Sequence, residues 1–213
     1  MMKYVYIAIL FLFGSCREGN KAPQATDAAT NENAKSVSIK DKTVQFLWRD
    51  TSGTLLINQD FCKTITDAEK AALGYVATFI GNECEWDGKP TKDRSNLKCE
   101  ILTALNLGYQ CSEQHLGFLK KWFKNDTTVL EEIKICPTTP NTSTIQDTFD
   151  EIVVTTKGND ILISFKANGI HLREQKEWEW SETAYFKVQN EYIQLIKKDR
   201  SKVKVSSFNA DAE

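Results

Sequence analysis

Six cysteines and two histidines hold most of the reactive chemistry open to this chain of 213 residues. Cys111 stands just before Ser112, where the spacing predicts a helix start; free amides and the helix dipole there lower a thiol's pKa and favour the nucleophilic thiolate. His171, in a later strand-like segment, could act as its base, which would make a cysteine hydrolase using Cys111 and His171. No Trp-Asp-Cys or Gly-Xaa-Cys setting surrounds Cys111, and only Glu174 stands near His171 as an orienting group. The plainer reading of Cys111 is a disulfide or a buried thiol. Redox chemistry lacks its Cys-Xaa-Xaa-Cys hallmark. With His115 and His171 as the only histidines and no His-Glu-Xaa-Xaa-His spacing, no metal site and no cofactor is expected.

Glu174, Glu177, Glu179 and Glu182 resemble a carboxylate cluster, but Glu177 and Glu179 alternate with Trp178 and Trp180. In a strand that puts the acids on one face and the indoles on the other, the pattern of a half-solvated sheet rather than of paired catalytic acids. Trp178 and Trp180 are therefore the candidate binding residues, able to stack on a sugar or anchor a partner, with burial in the core as the competing reading.

The elements that must position these groups follow from periodicity. Runs 44–48 and 54–57, separated by Asp50-Thr51-Ser52-Gly53, predict a hairpin. Thr66-Asp67-Ala68-Glu69 has the form of a capping box, opening a helix that runs to about Gly81 on the stripe Ala72, Tyr75, Val76, Phe79, Ile80. A second helix starts near Ser95 and a third at Ser112, the latter carrying Leu116, Leu119, Trp122 and Phe123. Beyond Asn125 the pattern predicts strands at 129–135 and 148–156, then a turn at Lys157-Gly158-Asn159-Asp160. Alternation of Ile161, Ile163, Phe165 and Ala167 with polar residues predicts the next strand, and strands at 171–174, 176–188 and 192–196 follow. Sequential strands joined by short turns pair as an antiparallel meander. The fold class is thus α+β, a three-helix N-terminal part packed on a C-terminal antiparallel β-meander. Asn125-Asp126-Thr127 and Asn141-Thr142-Ser143 are read as turn chemistry.

The formal net charge is −2, and the basic clusters Lys120-Lys121 and Lys197-Lys198-Asp199-Arg200 are short enough to be solvated faces, so nucleic acid is not an expected partner. The first fifteen residues are Lys3 followed by an apolar run from Tyr4 to Phe13 and then Gly14-Ser15 before Cys16. That run is too short to span a bilayer, which takes about 20 apolar residues. Small residues directly before a cysteine resemble the signal of bacterial lipoproteins, with Phe13 standing where Leu is usual. The resemblance covers only residues 1–16. It implies cleavage before Cys16, acylation of that cysteine, and anchoring by lipid in the bacterial cell envelope, with the membrane as one partner. Residues 16–42 have too little apolar bulk to offset their ordering entropy and read as a disordered tether; 43–205 is expected to form a single domain and 206–213 a flexible tail.

With Cys16 assigned to the lipid, five cysteines remain and an exported compartment permits disulfides. If the first two helices form a hairpin, Cys84 lies near Cys99 and Cys62 near Cys111, leaving Cys136 free; spacing alone leaves other pairings open. The resulting expectation is a membrane-anchored envelope lipoprotein whose non-catalytic domain binds a protein or glycan, for instance as an inhibitor or immunity protein does. The alternative is a cell-envelope cysteine hydrolase using Cys111 and His171.

Overall fold

A tight turn reverses the first two strands, β1 (Lys42–Arg49) and β2 (Leu55–Ile57). Asp50 Oδ1 accepts the amides of Ser52 and Thr54, each at 2.9 Å, and Gly53 takes the left-handed φ of 85° that closes the turn. This hairpin begins a computed structural model that describes residues 41–78, 97–136 and 145–208. Five helices follow among the described residues: α1 (Gln59–Thr64), α2 (Asp67–Thr78), α3 (Leu97–Ala104), α4 (Glu113–Trp122) and α5 (Thr127–Ile135). Then come β3 (Ile145–Lys157), β4 (Asp160–His171), β5 (Lys176–Gln189), β6 (Tyr192–Arg200) and β7 (Lys204–Ser207).

The strands form one antiparallel sheet in the order β2-β1-β3-β4-β5-β6, with β7 paired to β5 beyond the end of β6. Helices therefore do not precede the sheet. They are inserted between β2 and β3, and β1 returns to pair with β3, placing Val44 opposite Val154. The expected three-helix N-terminal part is replaced by this arrangement, while the α+β class stands.

Alternation decides which sheet face is covered. Ile161, Ile163, Phe165 and Ala167 are buried beneath the helices, whereas Leu162, Ser164 and Lys166 lie on the other face. α2 crosses β4, β5 and β6, and its Tyr75 ring sits 5.3 Å from Phe123 and 6.0 Å from Phe186. Every residue from 71 to 78 is buried. A helix apolar all round belongs inside the molecule, so α2 is the central core helix.

One buried carboxylate fixes where α2 enters. Glu69 completes the expected capping box: its Oε2 accepts the Thr66 amide at 3.0 Å while Thr66 Oγ1 accepts the Glu69 amide at 3.3 Å. The same side chain reaches the sheet, accepting Thr156 Oγ1 of β3 at 2.5 Å and Lys42 Nζ of β1 at 3.0 Å. Glu69 is 0% exposed. Burial pushes its carboxyl up, but the hydrogen bonds from Thr156, Thr66 and Lys42 outweigh that and hold it below the ordinary 4.5.

The segment 129–135, expected to be a strand, is the helix α5. Asp126 decides the matter by accepting the Val129 amide through Oδ1 at 3.1 Å, an N-cap bond that starts a helix. Val129 and Ile133, four apart, then point into the core. Asp126 Oδ2 also accepts the Leu195 amide of β6 at 2.8 Å, pinning the start of α5 to the sheet. Ser206 and Ser207, expected in the tail, belong to β7 and lie opposite Glu177 and Lys176.

Glu69→Gln keeps the side-chain volume and removes the charge that two elements share. It is expected to cost about 2–3 kcal/mol in chemical denaturation at pH 7. A carboxyl with a depressed folded pKa stabilises fully above its unfolded value and loses that contribution as pH falls through the folded one. The cost of the substitution should therefore shrink below pH 4.5.

Candidate functional site

The sulfur atoms pair differently from expectation. Cys111 is bonded to Cys136, with Cα atoms 6.0 Å apart, and among the described residues Cys62 is a free thiol. The expected Cys62 to Cys111 bridge and free Cys136 are both corrected. The reason is α5. α4 and α5 are helices of ten and nine residues joined by a short turn, so α5 folds back along α4 and brings Cys136 at its end to Cys111 before the start of α4. A bridge closing a loop of this size contributes about 3 kcal/mol. Cys99 is also disulfide-bonded; Cys84, its expected partner, and Cys16 lie outside the described residues. Burial pushes the half-buried Cys62 thiol up, the reverse of activation.

The disulfide removes the thiolate that the hydrolase reading needs at Cys111. His171, at the end of β4, accepts the Glu174 amide at Nδ1, 3.1 Å away, with the Glu174 carboxylate 3.8 Å from Nε2. That is local turn chemistry. The other histidine is the one bound to the Cys111 turn. His115 Nδ1 accepts the Cys111 amide at 3.2 Å, which leaves the ring proton on Nε2, 2.9 Å from Thr78 Oγ1. His115 is 0% exposed, and burial lowers its pKa from 6.5 to about 4. It holds Cys111 in the left-handed conformation, φ 61°, that turns the chain into α4. Ser112 caps that helix as expected, accepting the His115 amide at 3.2 Å.

Trp178 and Trp180 share one face of β5, as alternation requires, but it is the helix-covered face. They stand opposite Gly169 and Ala167 of β4, whose small side chains leave room for the indoles. Trp180 is 8% exposed, and Trp178 is half-buried against the same core. Arg200 covers the Trp180 ring, its guanidinium carbon 4.9 Å from the centroid, and lies 3.8 Å from Glu182. The four glutamates disperse. Glu177 and Glu179 lie on the outer face beside Ser206 and Lys204, Glu182 on the covered face and Glu174 in a turn. Among the described residues no three His, Cys, Asp or Glu side chains come together as metal ligands would.

One exposed stretch among the described residues is a sheet edge. All twelve residues 196–207 are exposed, and they carry Ile196, Val203 and Val205 at 60%, 48% and 64%. The Ser201 amide donates to Ser181 O at 2.8 Å, so in this antiparallel pair the amides of Asp199 and Lys197 also face β5, while those of Arg200 and Lys198 face outward. No described group takes them. Asp126 covers the edge only as far as Leu195. Lys197-Lys198-Asp199-Arg200 had the look of a solvated face; what the sequence does not display is that this face is a strand edge.

The buried neutral His115 gives stability a definite pH window. Its folded pKa is depressed, so the unfolded chain binds the proton first, and stability falls as pH drops from about 6.5 to about 4. The loss should total about 3 kcal/mol in wild type and be much smaller in His115→Gln, measured by urea denaturation across that range. Comparison with protein-family models, curated proteins and solved structures finds no match for the chain.

Proposed function

We propose that this chain is a lipid-anchored envelope protein whose folded domain binds a macromolecular partner without catalysis. The observation that carries the binding reading is the open β6–β7 edge: unpaired main-chain groups and exposed apolar side chains are what a docking surface offers. The cysteine chemistry supports it from the other side. Cys111 is held in a bridge, and the histidine bound to its turn is a neutral structural group. The anchor rests on the signal at residues 1–16, with Cys16 as the acylated residue, and a tether between anchor and domain would let the edge face a partner away from the membrane.

Two measurements on the intact chain in its envelope test this. Labelled palmitate should enter the wild-type chain and not Cys16→Ser, and chemical cross-linking should give one dominant adduct whose attachment sites on this chain fall within 196–207. Peptidoglycan hydrolysis abolished by Cys111→Ala would contradict the binding reading in favour of a hydrolase, and label retained by Cys16→Ser would contradict the anchor.

A further inference from the structure

We propose that the β6–β7 edge is a strand-addition site for an extended acidic segment of a protein partner; this rests on the binding reading above and names the class of ligand. The edge meets the main-chain requirement. Lys198 and Arg200 present outward amides, and a partner strand can bond to them as β5 bonds to Asp199 and Lys197.

Charge selects the occupant. Residues 197–204 hold Lys197, Lys198, Arg200, Lys202 and Lys204 against a single acid, Asp199. Edge-to-edge pairing of two copies would set these cations against one another, a repulsion that edge strands use to prevent self-association. The same cations favour an acidic strand. Lys198 and Arg200 lie 3.8 Å from Glu132 and Glu182 and over the Tyr75 and Trp180 rings, and Lys202 has no ionic partner among the described residues. Lys202 is therefore free to turn toward carboxylates on an added strand, while Lys198 and Arg200 add positive charge beside the edge from where they lie over those rings. Ile196, Val203 and Val205 supply apolar contacts between the charges. The bulge at Ile196 and the Asp126 cap on Leu195 mark where the site stops, because Asp126 Oδ2 already occupies the position a partner carbonyl would take. An acidic segment with apolar or β-branched residues between its acids suits an edge whose cations stand on both faces, Lys198 and Arg200 on one and Lys197 and Lys204 on the other.

The test uses the full chain and a pool of synthetic twelve-residue peptides alternating Glu with Val, Thr or Phe. A matching pool with Lys in place of Glu and vesicles containing anionic phospholipid serve as the competing ligands. The acidic pool should bind, and exchange of the Lys198 and Arg200 amides should slow at least tenfold on binding. Lys202→Glu, at an exposed position with no ion pair among the described residues, should weaken the acidic pool at least threefold and improve the basic one, with unchanged denaturation confirming the fold. Equal binding of both pools, binding without slowed exchange at Lys198 and Arg200, or binding of the vesicles alone would each overturn the inference. Cross-links within 196–207 to a partner lacking an acidic segment would overturn it while leaving the binding reading intact.

Discussion

The fold depends on one buried carboxylate. Glu69 collects donors from the N-terminus of α2, from Thr156 of β3 and from Lys42 of β1, three elements distant in sequence. A charge left uncompensated in that position would be costly or would take up a proton, so the helix start, the first strand and the middle of the sheet are favoured in the one geometry that satisfies it. With that junction set, α2 lies across β4, β5 and β6 with residues 71–78 buried, and α3 and α4 pack against it. The short helix-to-helix connections then place α4 and α5 toward β6, where Asp126 ends the coverage of the sheet.

Features governed by neighbours in sequence were legible. The capping box at Thr66 to Glu69, the Ser112 cap, the Asp50 to Gly53 turn and the alternation of β4 each rest on a few consecutive residues, and each is present. What was not legible depended on distant groups. β1 joins the meander by pairing with residues more than a hundred positions away, which no local pattern announces. The segment 129–135 is rich in β-branched residues and satisfies a strand's composition, yet Val129 and Ile133 also satisfy a helix's spacing. The Asp126 cap decides between them. The same segment decides the disulfide, because only as a helix folded back along α4 does it bring Cys136 to Cys111.

The candidate site shows the same division. Residues that attract notice by type, Cys111, His115 and Trp180, are used to build the fold: one is bridged, one is buried and neutral, one fills the space left by Ala167. The stretch 196–207 attracts no notice by type, because lysines alternating with serine and valine describe many solvated surfaces. Its significance comes from topology. Only after β6 and β7 are placed at the end of the sheet do the outward amides of Lys198 and Arg200 become free main-chain groups rather than ordinary strand bonds.

Amide hydrogen exchange of the free chain, resolved by residue, shows whether the sheet seated on α2 leaves its β6–β7 edge uncovered. The amides of Ala184 and Phe186 in β5 should exchange at least a thousandfold more slowly than those of Lys198 and Arg200, because β5 is flanked on both sides and the edge is not. Protection of Lys198 and Arg200 equal to that of β5 would mean the edge is already covered, and would contradict the account.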